Sequence, residues 1–422
     1  MSGKREVVIT GVGVVSPIGI GGAALWASLA AGISGIRLID LFDASSLSVR
    51  FGGQIPDFDP KLYVRPRKSL KVMSREIQLG FAAADLAMSD AGLAAGSVDP
   101  ERFGVVFGGD MIYADLEDLE STYRRSIAGG SFDFRQWSEA IHEELHPLWL
   151  LKHLPNMTAS HIAIAHDARG PNNSIVLGDV SGLLAIAEAM SVIQRGWADV
   201  MLTGGTACRL HPTALVARGD ALLSHRTDDC RRASRPFDLH RDGLVNGEGA
   251  GVLVIEAREH ARARQARIRG RLLGAASRCE SRARRHGLTG SSLRQAIEAV
   301  LASTGLAPDD IGHVNAHGAS TVEMDRVEAA AIAAVLGNVP VTAPKSFFGH
   351  LGAASGTVEL VASVLGLERG LVPHTLNYET PDPLCPVQVV SGGPLAGRPP
   401  TAVAVNLCST GQAAVVAIAA EE

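Results

Sequence analysis

Cysteine is scarce in this sequence: Cys208, Cys230, Cys279, Cys385 and Cys408 make an odd number with no CxxC pair. That excludes a disulfide framework and points to a reduced, cytoplasmic setting. Basic charge is not in excess either. A formal net charge of -5 argues against nucleic acid as the main partner. No uninterrupted apolar run reaches the ~20 residues that a membrane helix needs. The start, MSGKREVVITG, turns polar and then strand-like without a long apolar stretch, so neither a secretory signal nor membrane association is expected. What the sequence does have is bulk: 422 residues, 46% hydrophobic, with 46 glycines. At about 150 residues per domain that means two or three cores, or one large duplicated unit, needing neither disulfide nor metal to hold it.

Strand-like and helix-like segments alternate along the whole chain. Val7 to Thr10 reads as a buried strand, and Gly11-Val12-Gly13-Val14-Val15-Ser16-Pro17 as a tight turn after it. The GxG invites a dinucleotide-binding reading, but Ser16 replaces the third glycine and Pro17 follows, so the turn is preferred. Helices are expected from Ile77 to Ala91, Ser181 to Arg195, Leu293 to Thr304, Asp325 to Leu336 and about Gly356 to Arg369. Strands are expected from Phe103 to Phe107, Ser174 to Leu177, Val200 to Thr203, Gly251 to Ile255, His313 to Ala316 and Val339 to Ala343, and near Val387 and Ala402. Such alternation implies crossover units and parallel sheets covered on both faces. The basic run from Arg258 to Arg285 reads first as a solvated face and second as a docking surface for an acidic partner, with Arg282, Arg284 and Arg285 as the residues to test.

Four segments are neither helix nor strand in pattern, and each follows an expected strand: Leu177-Gly178-Asp179-Val180-Ser181-Gly182, Asn315-Ala316-His317-Gly318-Ala319-Ser320-Thr321, Lys345-Ser346-Phe347-Phe348-Gly349-His350 and Asn406-Leu407-Cys408-Ser409-Thr410-Gly411-Gln412. Ligands of α/β proteins bind at the carboxyl ends of strands. Two histidines beside glycines at such positions mark a candidate site.

These segments, with VVITGVGVVSPIG, LPNMTASHIAIAHDARGPNNS, RPFDLHRDGLVNGEGAGVLVIE, NAHGAST and KSFFGHLGAASG, make the chain similar to the β-ketoacyl-acyl-carrier-protein synthases (ketosynthases) of the thiolase superfamily, essentially end to end. The resemblance implies a thiolase-like α/β fold of two pseudo-symmetric halves in αβαβα layers, here 1–256 (with Asp179) and 257–422 (with His317, Lys345 and His350). It also implies a dimer, an acyl carrier protein as partner, and substrate delivered on phosphopantetheine with no tightly bound cofactor and no metal. In that family a cysteine at a helix N-terminus takes the acyl group, two histidines act on the malonyl thioester, a lysine organises the histidine loop and backbone amides form an oxyanion hole. Residue by residue, the histidines match His317 and His350 and the lysine matches Lys345. Thr321, Thr410, Gly411 and Phe348 become candidate substrate-binding residues.

The sequence departs from the family at two places. In SIVLGDVSGL the nucleophilic cysteine of the T-A-C-x-S-G pattern is replaced by Asp179, and the C-terminal loop reads NLCSTGQ where the family has N-S-F-G-F-G-G, with Thr410 at the gating phenylalanine and Ala319 at a usual threonine. A carboxylate at a helix N-terminus is expected to be ionised. Its attack on a thioester would give a mixed anhydride, more energetic than the thioester, so acyl loading would run uphill. The first expectation is therefore a non-condensing subunit resembling a chain-length factor, paired with a cysteine-bearing ketosynthase as a heterodimer or else a homodimer. The alternatives are a malonyl-acyl-carrier-protein decarboxylase using His317 and His350, and a repurposed acyl-thioester hydrolase or transferase with Asp179 as base.

Overall fold

The computed structural model describes residues 4–94, 96–281 and 287–421. Its largest sheet runs, in spatial order, Gln388–Val389, Pro340–Thr342, His313–Asn315, Thr401–Leu407, Gln412–Ala419, Gly270–Cys279, Val7–Ser16, Glu248–Ala257, Val200–Cys208, Phe103–Gly108 and Asn172–Ile175. The two halves repeat one pattern. Val7–Ser16 pairs antiparallel with Glu248–Ala257, which pairs antiparallel with Val200–Cys208, beyond which Phe103–Gly108 and Asn172–Ile175 run parallel. Gly270–Cys279, Gln412–Ala419, Thr401–Leu407, His313–Asn315 and Pro340–Thr342 do the same in that order. The halves join where Val7 to Ile9 pairs with Gly270 to Leu272. The sheet is thus mixed, not parallel as the alternation suggested, because antiparallel pairs at its centre, such as Val7–Ser16 with Glu248–Ala257 and Thr401–Leu407 with Gln412–Ala419, replace crossovers.

Alternation along each strand builds the layers. Leu253 and Ile255 face a central cluster while Val252 and Val254 face an outer one. Val416 and Ile418 face the same central cluster, and Val415 and Ala417 a third. The central cluster encloses the helices Ser181–Gln194 and Ser355–Leu367, the first outer cluster is covered by Arg75–Asp90, and the second by Ser291–Thr304 and Val322–Leu336. Helix, sheet, helix, sheet, helix is the αβαβα order expected from the thiolase resemblance. Its near-continuous apolar strands read as fully buried because both faces are covered.

The Gly11 to Ser16 segment is strand, not turn: Val7–Ser16 continues past a register shift between Ile9 and Gly11. Its glycines serve close packing. A Cβ on Gly13 would lie 1.9 Å from the Ala83 carbonyl oxygen, and one on Gly11 2.3 Å from that of Ala87, both on the Arg75–Asp90 helix. Helices that the sequence pattern does not predict include Gly22–Ala31, Leu116–Arg125, Phe134–Glu144, Met157–His166 and Pro212–Arg218. In the basic run, Arg258, Arg264, Arg267 and Arg269 sit in ion pairs with Glu421, Glu256, Glu368 and Asp90. Arg282, Arg284 and Arg285 lie outside the described residues. No helix among the described residues is long and apolar enough to cross a membrane.

Candidate active site

Glycines decide how closely the site's elements meet. A Cβ on Gly108 would lie 2.6 Å from the Gly182 nitrogen, and Cβ atoms on Gly182 and Gly205 would lie 2.5 and 2.4 Å from the Ala353 oxygen. The start of the Ser181–Gln194 helix is thereby pressed onto the turn that leads into Ser355–Leu367. Asp179 stands in the single turn Gly178–Val180 before the first helix, and His350 just before the second turn. Gly178, at φ 62°, makes the bend that presents Asp179. The Ser181 hydroxyl accepts the Leu177 N–H at 2.8 Å and donates to the Gly178 carbonyl at 2.6 Å, fixing that bend.

Asp179, His317, His350 and Lys345 do come together; the last three are buried, and the Asp179 side chain is 13% exposed. The His317 and His350 rings meet edge to face at 5.2 Å. His350 Nδ1 accepts the Gly352 N–H at 3.1 Å and lies 3.0 Å from an Arg209 nitrogen. Its proton must therefore sit on Nε2, 3.5 Å from Asp179 Oδ2. His317 Nδ1 faces the Lys345 ammonium at 3.4 Å and the Asn406 amide nitrogen at 3.5 Å, so its proton also sits on Nε2, which has no partner. Lys345 is held by the His317 carbonyl at 2.5 Å and by Glu359 at 2.6 Å. Glu328 accepts the His317 and Gly318 N–H groups at 2.5 and 2.8 Å, locking the loop. Two N–H donors thus converge where negative charge can be held.

Arg209 went unnoticed in the sequence and dominates the electrostatics. Its guanidinium hydrogen-bonds Asp179, touches His350 and lies 3.4 Å from Asp110, which Arg218 meets at 3.2 Å from the solvent side. Burial opposes ionisation of Asp179, yet Arg209 beside it, with help from His350, holds its carboxyl well below the usual range. Burial, reinforced by Lys345, pushes His317 well below the ordinary histidine value. Burial pushes His350 down to about 4, and Asp179 offsets only part of that. Burial raises Glu328 to about 8 against its two backbone donors. The one sequence signal for Arg209 was its place immediately after the strand-ending Cys208.

The remaining candidates make no side-chain hydrogen bond to Asp179, His317, His350 or Lys345 among the described residues. Thr321 precedes the Val322–Leu336 helix and its carbonyl accepts Arg241 Nε at 3.0 Å. Phe348 is fully buried in the central apolar cluster. Thr410 is exposed, its hydroxyl 3.1 Å from Cys408 Sγ, and Gly411, at φ 96°, completes the tight return between Thr401–Leu407 and Gln412–Ala419. Cys408 abuts Gly178, 3.2 Å from where a Cβ would be. No cysteine sulfur hydrogen-bonds to either histidine among the described residues.

Asp179, His317 and His350 bring possible ligand atoms within 4.8 Å of one another. A metal does not fit this trio, because both imidazoles present N–H rather than a lone pair and Arg209 already neutralises the carboxylate. The tautomers are testable by nitrogen-15 NMR on histidine-labelled protein. Protons on Nε2 of both rings, and no protonation of either between pH 7 and 5, are expected. An Nδ1–H form, or titration near 6.5, would contradict the geometry. Because the folded-state values lie below the unfolded one, these histidines favour the fold above about pH 6.5 and lose that contribution as pH falls toward 4.

Comparison with known proteins agrees with this architecture. Residues 4–261 match the N-terminal domain of β-ketoacyl synthases and residues 269–379 the C-terminal domain. A 3-oxoacyl-[acyl-carrier-protein] synthase 2 of Synechocystis is 36% identical over 92% of both chains. A putative polyketide β-ketoacyl synthase 1 of Streptomyces cyaneus is 38% identical over 94% of this chain and 92% of its own. The solved ishigamide ketosynthase/chain length factor is 29% identical, covers 100% of both chains and superimposes with a TM-score of 0.86. Matched from near its start through both halves of the fold, the chain belongs to the β-ketoacyl synthase family.

Proposed function

We propose that this protein is a non-condensing subunit of a type II polyketide or fatty acid system, partnered by a cysteine-bearing ketosynthase and meeting chains carried on an acyl carrier protein. The relatives support the carrier and the partner through what they are: a synthase acting with acyl carrier protein and a ketosynthase/chain length factor assembly. One observation carries the non-condensing part. Asp179, at the position the family motif gives to cysteine, is a buried carboxylate bound to Arg209. An anion so held is a poor nucleophile, and it faces His350 Nε2–H, one of the two donors that would otherwise stabilise an enolate or thioester oxygen. A decarboxylase reading has support of its own in the unpartnered His317 Nε2–H, but Asp179 places like charge beside the charge that decarboxylation would develop.

The test supplies malonyl-acyl carrier protein to the purified chain and follows acetyl-acyl carrier protein by mass spectrometry, alone and with His317→Ala. No turnover, together with co-purification in a one-to-one complex when co-expressed with a cysteine-bearing type II ketosynthase, is expected. Turnover that His317→Ala abolishes would replace this reading with the decarboxylase. Release of free malonate would point to hydrolysis instead.

A further inference from the structure

A cavity of about 230 Å³ lies at the carboxyl end of the Val200–Cys208 strand, and none of Asp179, His317 and His350 lines it. Its walls are partly apolar, from Leu41, Phe42, Leu210 and Pro212, and its polar groups include Ser74 and Glu76. Glu76 is 7% exposed and Ser74 8%. Among the described residues the Glu76 carboxyl accepts one hydrogen bond, from the Cys208 N–H at 3.3 Å, and has no ion-pair partner. Ser74 precedes the Arg75–Asp90 helix without capping it, and its buried hydroxyl has no partner.

Most of the other charged groups around the cavity are already matched. Arg75 is engaged by both oxygens of Glu248, at 2.5 and 2.6 Å, and the Cys208 thiol lies 3.3 Å from the same carboxylate. His211 Nδ1 accepts the Thr213 N–H at 3.2 Å, so its Nε2–H faces Asp115 at 3.2 Å, and Lys152 lies 3.8 Å from Asp115. Asp110 is shared by Arg209 and Arg218, and Glu117 completes the acidic side. The cavity therefore combines one uncompensated buried carboxyl, one idle hydroxyl, apolar walls and no free cation among the described residues. Carboxylate ligands would meet like charge. A buried polar group without a partner is costly, so a ligand that supplies donors recovers that cost.

We infer that this cavity binds a small primary amine, its ammonium held by Glu76 and the Ser74 hydroxyl and its alkyl part against Leu41, Phe42 and Leu210. The volume is several times that of a water molecule, which leaves room for a chain of a few carbons. Burial, assisted by Asp110, pushes Glu76 well above the usual carboxyl range. An alkylammonium set against Glu76 favours the carboxylate, so a proton carried by the carboxyl passes to the buffer on binding. The inference stands or falls separately from the condensing question.

Titration calorimetry of the whole protein with n-butylammonium, n-butanol and n-butyrate at pH 7, in phosphate and in MOPS, tests it. Butylammonium is expected to bind at millimolar concentration with release of protons to the buffer, while butanol binds at least tenfold more weakly and butyrate not at all. Glu76→Gln, which keeps shape and neutrality, should abolish the proton release and weaken binding by about tenfold. Ser74→Ala, which leaves Glu76 in place, should weaken it several-fold while keeping the release. Equal binding of butanol and butylammonium, absence of proton release by the unmodified protein, or undiminished binding to Glu76→Gln would overturn the assignment.

Discussion

Arg209→Ala is expected to destabilise the folded protein by about 3–5 kcal/mol, among the largest effects of any single substitution outside the apolar core. The substitution leaves Asp179 buried and uncompensated beside two neutral histidines. Side-chain exposures of 9% and 13% for Arg209 and Asp179 mean that water cannot take over the lost interaction. Removing both charges is a different matter. Arg209→Met with Asp179→Leu deletes the desolvation cost along with the attraction, so the double variant should unfold within about 1 kcal/mol of the parent or above it. Denaturant unfolding of the two single variants and the double variant gives the coupling energy directly. A coupling below about 0.5 kcal/mol would show that the pair is incidental, and the reading of Asp179 as a structurally committed anion would fail with it.

Asp179→Cys should have the opposite character, creating reactivity instead of destroying stability. The new thiol would stand at the start of the Ser181–Gln194 helix, with Arg209 and His350 already in place to favour its anion. Helix N-termini and neighbouring cations bring cysteine values into the range of about 3.5–7.5. At pH 7 iodoacetamide should therefore modify it on the order of tenfold faster than an ordinary exposed thiol. The comparison is best made in a Cys279→Ser background, since Cys279 is the exposed cysteine of the native chain. Adding Arg209→Met should slow the modification and move its pH profile upward. Alkylation at the rate of a buried, unactivated thiol would mean that the helix start no longer forms a nucleophile site, and that more than the cysteine has been lost.

Much of the site was legible because its parts follow strands. His317, Lys345 and His350 lie in segments whose glycines interrupt any regular period, and their convergence follows from α/β topology. Arg209 was not legible. It is 30 residues from Asp179 in sequence, and nothing in Cys208-Arg209-Leu210-His211 says that the end of one strand will face the turn after another. The Gly11-Val12-Gly13 segment shows the converse failure. Glycine signals a turn locally, but here its reason is the backbone of the Arg75–Asp90 helix, which no local pattern reports. The parallel-sheet expectation failed for a related cause: alternation of elements gives their order, whereas strand direction at the sheet centre depends on long returns such as Val7–Ser16 to Glu248–Ala257. Thr321 and Phe348 came from motif position alone: the Thr321 hydroxyl is buried without a hydrogen-bond partner, and Phe348 packs in the central apolar cluster.

The central claim is that no acyl group is held covalently on this chain. Intact-protein mass spectrometry after incubation with acyl-loaded carrier protein tests it most directly, with the Asp179→Cys variant run beside it as the positive control. An unshifted mass for the native chain and an acyl-shifted mass for the variant are expected. A native chain that gains the acyl mass at Asp179, or at any side chain that then surrenders it to malonyl-carrier protein, would make this a working condensing enzyme.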